Sequence, residues 1–206
     1  MTGLRERKKA ETRAALGWAA IHLTVERGYD NVRVEDIAEA AGVSPRTFNN
    51  YFSSKAEAIA SRHLDRSLRT AAALRERPAD EPLWAALTEA ALEQFTRGPE
   101  VDAMPAPAHE QWAAGIRTML AEPALQGERL RAVSIAEAEL AAAVAERTGT
   151  DLATDMYPRL VAAAASAAVA VAMQHYLDHA GPPIPIERLI TDAFTQIAAG
   201  LPAPPR

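Results

Sequence analysis

The chain has no cysteine. That excludes disulfides, thiolate metal sites and thiol redox sensing, and it suits a reducing compartment such as the cytoplasm. Aromatics make up only 5% of the 206 residues, although apolar residues reach 49%. Alanine dominates the apolar fraction, which favours close-packed helices over sheets. Long hydrophobic runs are scarce. The longest, about Leu160 to Met173, is too short for a membrane span and reads as a buried helix. The charged N-terminus lacks the apolar core of a secretion signal. No Gly-rich phosphate loop, nucleophile elbow or supported Ser/His/Asp spacing occurs, so the pattern asks for neither a cofactor nor an enzyme site.

What is present is an uneven charge. Residues 1–62 hold ten Lys/Arg against eight Asp/Glu, a balance of +2, and residues 63–206 hold twelve against nineteen, a balance of −7. Arg5, Arg7, Lys8, Lys9 and Arg13 crowd the first thirteen residues against Glu6 and Glu11. A basic front on an acidic body points to a polyanion met by the front alone. For the arm Arg5 to Lys9 the choice is between tracking phosphates or entering a minor groove, and remaining a solvated disordered tail.

Periodicity gives an all-α chain of about nine helices and no internal repeat. Leu16, Ala19, Ala20 and Leu23 set a helix over 8–27, which Gly28 ends. A short helix covers 34–41. Ser44 is an N-cap with Pro45 at the first helical position, opening a helix to about Phe52. Ser53 or Ser54 caps a long helix from Lys55 to about Arg77, where Pro78 bars continuation. Pro82 opens a helix to about Arg97, and Gly98 to Pro107 is a loop. Further helices are expected near 109–121, 123–147, 151–179 and 186–200. Pro158 either kinks the penultimate one or marks its start.

Residues 34–53 carry a helix-turn-helix. Ala38 is small enough for a close crossing, and Gly42 permits a positive φ in the turn. Ile37, Ala41, Val43, Phe48 and Tyr51 supply the shared core. With Phe48 pointing inward at 100° per residue, Arg46 and Asn50 point almost directly away, flanked by Thr47 and Asn49. Asn is a poor helix former, so two of them in the middle of a helix suggest a groove-reading face. Arg pairs with guanine O6/N7 and Asn with adenine N6/N7, while Ser44, Thr47 and the helix start suit phosphate. An ordinary αα-corner with a solvated polar face is the alternative.

The stretch TRAALGWAAIHLTVERGYDNVRVEDIAEAAGVSPRTFNNYFSSKAEAI resembles the DNA-binding domain of TetR-family transcriptional regulators. The matching features are Arg-Gly-Tyr closing the first helix, then VEDIAEAAGVS, Thr47, the Tyr51-Phe52 pair and SSKAEAI. The resemblance implies a DNA-binding domain at 1–54 and an effector-binding and dimerisation domain at 55–206. It places Ser44, Pro45, Arg46, Thr47, Asn49 and Asn50 at the recognition helix, Tyr51 near phosphate and Lys55 on the DNA backbone. Asn49 and Asn50 stand where many members carry an aromatic and a His. Gly17 and Thr24 replace large apolar residues, which lowers the expected stability of the first helix. Trp18 replaces a polar one and is either exposed or packed on the C-terminal body.

The resemblance further implies a homodimer through the last two helices, at 159–179 and 186–200, with Leu189, Ala193, Phe194 and Ile197 as the stripe on the latter. It implies a small-molecule effector pocket, for which Trp84, Phe95, Met104, Trp112, Met119, Met156 and Tyr157 are the large groups available. The acidic body favours an apolar or cationic effector. His175 and His179 lack a third metal ligand. The function expected is a cytoplasmic, ligand-responsive repressor bound to a palindromic double-stranded operator, with no membrane partner. The rivals are a regulator without an effector and an all-α enzyme or carrier.

Overall fold

The computed structural model describes residues 2–95, 109–179 and 184–202. Among them are nine α-helices and no strand: α1 Thr2–Arg27, α2 Val34–Ala40, α3 Pro45–Asn49, α4 Lys55–Glu76, α5 Leu83–Leu92, α6 His109–Ala121, α7 Pro123–Thr148, α8 Tyr157–Asp178 and α9 Ile186–Ala198. A 3-10 turn, Tyr29–Asn31, links α1 to α2. The loop Gly98 to Pro107, with Met104, lies outside the described residues.

Several boundaries differ from expectation. The basic arm is helical from Thr2 onward, because its Arg, Lys, Glu and Ala residues are strong helix formers. Arg7 pairs with Glu11 at 3.5 Å, and the Thr12 hydroxyl donates to the Lys8 carbonyl at 2.9 Å. α8 starts at Tyr157 rather than 151, with Pro158 in its first turn, where a missing N–H is harmless. Before it, Asp151 and Asp155 carboxylates accept the Ala153 and Asp151 amides at 2.8 and 2.7 Å and hold a turn. α5 closes at Leu92, short of Arg97.

The chain divides into two compact units, the described residues of Met1–His63 with Pro99–Ala132, and those of Leu64–Gly98 with Val133–Arg206. In the first, Leu16, Ile37, Ala38, Phe48 and Leu125 are fully buried, and Phe52 and Met119 nearly so. Trp112 and Ile116 of α6 pack against the same core. The His22 ring lies 4.7 Å from that of Trp112 and 5.8 Å from that of Trp18. Burial pushes the His22 pKa down, against an upward pull from Glu26. Trp18 is half-buried, with the Arg62 guanidinium 4.5 Å over its ring.

Two glycines set how closely these helices approach. A Cβ on Gly17 would stand 3.1 Å from Ser61 Oγ and 3.2 Å from the Ala58 carbonyl, so the glycine lets α4 lie close on α1. Thr24, in contrast, is buried with no hydrogen-bond partner for its hydroxyl among the described residues, a local cost an apolar side chain would remove. A Cβ on Gly115 would stand 2.4 Å from Val25 Cγ1. Val is stiff at χ1 and cannot swing aside. Gly115→Ala should therefore lower stability by about 1–3 kcal/mol through overpacking, despite a helix-propensity gain of about 1 kcal/mol. Urea melts of Gly115→Ala alone and with Val25→Ala check this; the second substitution should restore most of the loss.

In the second unit, α8 buries Val161, Ala162, Ala165, Ala168 and Ala172 in one core with Ala86, Leu87, Ala90 and Ala91 of α5 and Ile190 and Phe194 of α9. Small side chains allow this close approach. Of the stripe expected to face a second copy, only Phe194 is closed off inside the chain. Phe194 is 2% exposed, and Leu189, Ala193 and Ile197 pack partly buried against the same core. α8 is long and apolar enough to cross a membrane by length and composition alone, at 22 residues; one face packs in this core and the other is exposed. Arg75 pairs with Glu139 at 2.8 Å and Glu146 at 2.7 Å. Arg147 donates to the carbonyls of Arg77 at 3.2 Å and Glu81 at 2.7 Å, partnering groups that follow the end of α4.

Candidate nucleic-acid interface

α3 is built by its own first residues. The Ser44 hydroxyl accepts the Thr47 amide at 3.1 Å and lies 2.9 Å from the Thr47 hydroxyl. Pro45 takes the first helical position. Gly42, at φ 68°, makes the turn from α2. Inside, Phe48 is completely buried and its ring lies 5.7 Å from that of Phe52. Outside, Ser44, Pro45, Arg46, Asn49 and Asn50 are exposed. The side chains of Arg46, Asn49 and Asn50 have no hydrogen bond or ion pair among the described residues. Thr47 is half-buried and engaged with Ser44, and Tyr51 is half-buried with its ring 6.5 Å from Phe52.

The helix is shorter than expected. It ends at Asn49, with Asn50 as its C-cap, and the Asn50 and Tyr51 amides reach back three residues to Thr47 and Phe48 at 3.1 and 2.9 Å. The two asparagines therefore close a helix instead of interrupting one, where their low helix propensity matters little. The outward direction of Arg46 and Asn50 is unaffected.

The start of α4 fixes the end of this surface. Ser54 Oγ accepts the Glu57 amide at 3.1 Å, so Ser54 is the cap. Glu57 accepts the Ser53 amide at 2.8 Å and its hydroxyl at 2.7 Å. Partial burial pushes the Glu57 carboxyl up, but the Ser53 hydrogen bonds and the charges of Arg131 and Arg13 outweigh it and hold its pKa below the usual carboxylate value. Arg13 also stacks on Phe52, 4.6 Å from the ring centroid. The roles of Glu57 and Arg13 were not anticipated. The Ser-x-x-Glu spacing of 54–57 carried the signal for Glu57, and Arg13 shares a helical face with Arg5 and Leu16.

Lys55 is not aimed outward as a phosphate contact. Its ammonium donates to the carbonyls of Tyr29 and Val32, the latter at 2.9 Å, and lies 3.9 Å from the Tyr29 ring centroid. Burial, with Glu122 and Asp30, pushes the Tyr29 phenol up. Lys55 thus pins the α1–α2 connection to the start of α4. Lys55→Met keeps the stem and loses the charge. It should lower stability by about 1–3 kcal/mol, the scale of hydrogen bonds from a charged donor, and leave the salt slope of DNA binding unchanged. A slope smaller by about one per protomer at wild-type stability would return Lys55 to the phosphates.

Arg5, Lys8 and Lys9 are exposed on the first turns of α1. The described pocket candidates divide between the two units. Trp112 and Met119 are spent in the core of the first unit. In the second unit, Trp84 meets Phe194 edge-on at 6.1 Å and Phe95 lies under the Arg66 guanidinium at 4.2 Å. Met156 and Tyr157 are exposed at the start of α8. The His175 and His179 rings lie 5.9 Å apart, and no group of three or more potential metal ligands occurs among the described residues.

Comparison with known proteins agrees with this geometry. Residues 18–60 match the bacterial regulatory proteins of the tetR family, and residues 81–202 match the MftR C-terminal domain. The HTH-type transcriptional regulator TcmR of Streptomyces glaucescens is 36% identical over 163 residues, 78% of this chain and 71% of that protein. A solved Rhodococcus sp. chain described as a TetR-family transcriptional regulator superposes with a TM-score of 0.56 at 22% identity, over 94% of this chain and 100% of that one. A second, from Mesorhizobium loti, gives 0.52 at 18% identity, over 93% of this chain and 96% of that one. These two show the shared fold.

Proposed function

The chain belongs to the TetR family of bacterial transcriptional regulators, and from that premise we propose that it is a ligand-responsive repressor, binding a palindromic operator as a homodimer in the cytoplasm. It is a DNA-binding regulator and not an enzyme. The observation that carries the proposal is α3, with Arg46, Asn49 and Asn50 exposed over a fully buried Phe48. A helix this short cannot sustain itself. The core holds it, so its outer side chains are free for base edges.

Dimerisation is supported by α8. Opposite its buried face it exposes Leu160, Ala163, Ala167, Ala170 and Val171, with Leu160 and Val171 more than 60% exposed. Such an apolar stripe at helical spacing suits a second copy of itself. α9 turns Glu187, Arg188, Thr191, Asp192 and Thr195 outward, so α8 supplies the apolar part of the contact. In a two-fold dimer, recognition helices roughly 34–36 Å apart read half-sites one DNA turn apart.

In this reading residues 1–54 read DNA, and residues 55–206 dimerise and take the effector. The effector is apolar or cationic, because the body is acidic. It acts only by binding one conformer more tightly than another. Trp84, Phe95, Met156 and Tyr157 remain the candidate contacts, and Met104 lies outside the described residues. The test is selection of duplexes from a randomised library by the full-length protein. Enrichment of inverted half-sites one turn apart, bound with a steep salt dependence, is expected. A pool that stays random after selection would remove the operator reading.

A further inference from the structure

We infer that the first three turns of α1 form a helical DNA-backbone clamp, in which Arg5, Lys8 and Lys9 grip phosphates flanking the half-site read by α3. This rests on the operator reading above. Residues 3–11 are all exposed, although α1 is one continuous helix. A helical segment with no packing partner has little to hold it in water. Its residues are not scattered. At 100° per residue, Arg5, Lys8, Lys9 and Thr12 fall on one face, and the same face continues into Leu16, Ala19, Ala20 and Leu23.

Those four apolar residues are buried in the helix-turn-helix core. The basic face is therefore the core stripe of α1 carried past the end of the core. Arg13 marks the crossover, because its guanidinium already stacks on Phe52 just beyond α3. Arg7 lies on the opposite side and is paired with Glu11 at 3.5 Å. From Leu16 back to Arg5 the axis rises roughly 16 Å, which carries the cations well beyond the edge of the reader. Three cations in line, continuous with the surface that carries α3, complement the backbone of the same duplex. Phosphate contacts of this kind position the protein and read no base.

The test uses full-length protein and duplexes obtained by the selection above, either ending at the half-sites or extended by eight base pairs on each side. Arg5→Gln/Lys8→Gln/Lys9→Gln, present in both protomers, should reduce the salt slope on the extended duplex by about five units, at about 0.9 per phosphate. The preference for selected over scrambled sequence should stay. The wild type should bind the extended duplex more tightly than the short one, and the triple variant should not distinguish them. Arg7→Gln should keep the wild-type slope. An unchanged slope in the triple variant, or an equal fall in Arg7→Gln, overturns the clamp while leaving base reading by α3 intact. Wild-type protein that binds no duplex with salt dependence overturns both.

Discussion

Phe48→Ala should lower the stability of the first unit by about 3–5 kcal/mol, the usual range for truncating a buried phenylalanine. Phe48 has no exposed surface, and it shares one core with Phe52, Ile37, Leu16 and Leu125, which come from four different parts of the chain. The cavity cannot close easily. α3 has only five residues, and its one internal anchor is Phe48. Removing the ring therefore does more than weaken a core: it releases the helix whose outer face is to meet DNA. Sequence-specific binding should vanish even in cold buffer where helical circular dichroism persists, because α8 and α9 belong to a different core from Phe48. Denaturant melts and binding titrations on the same sample separate the two effects. A stability loss under 1 kcal/mol with normal binding would mean that Phe48 does not position α3.

Much of this anchor was legible in the sequence, because the signals are local. Gly42 must take a positive φ, Ser44 must cap, and Pro45 must stand first. These constraints lie within four residues and fix where α3 starts. Its end is not legible in the same way, since the pattern of Phe48, Tyr51 and Phe52 fits a continuing helix as well as a turn. Only the three-residue backbone bonds to Asn50 and Tyr51 distinguish them.

Long-range pairing was the larger blind spot. Trp112 and Met119 look like pocket linings when judged by size alone. Periodicity says that they face something apolar, but not that the partner is α1, some ninety residues earlier. Lys55 shows the same limit, because nothing near it in sequence announces that the carbonyls of Tyr29 and Val32 surround its ammonium. The stripe of α9 reads as apolar from spacing alone, and spacing does not say that Ile190 and Phe194 are enclosed within the chain. The small alanines of α8 leave room for Ile190 and Phe194 inside the same chain, and that complementarity needs both helices placed. Gly17 reads as a weak point in a helix by propensity and is a contact site by geometry.

Arg46→Ala and Asn50→Ala should each weaken operator binding by about 1–3 kcal/mol for every base pair read, or roughly 5- to 150-fold. A homodimer carries each substitution in both half-sites, so the loss per complex should reach about 2–6 kcal/mol if the half-sites act independently. Stability should hardly change. Both side chains are exposed, and Asn50 sits at φ −78° and ψ −16°, where alanine is unstrained. Asn50 has no charge, so its loss should leave the salt slope alone while relaxing base preference at one position per half-site. That combination distinguishes base reading from phosphate contact, which weakens all sequences alike and flattens the slope. Repeating the library selection with each variant reads the relaxed position directly. If both variants keep wild-type affinity and select the wild-type sequence, α3 does not read bases through these residues, and its exposed Arg/Asn face is only a solvated surface over Phe48.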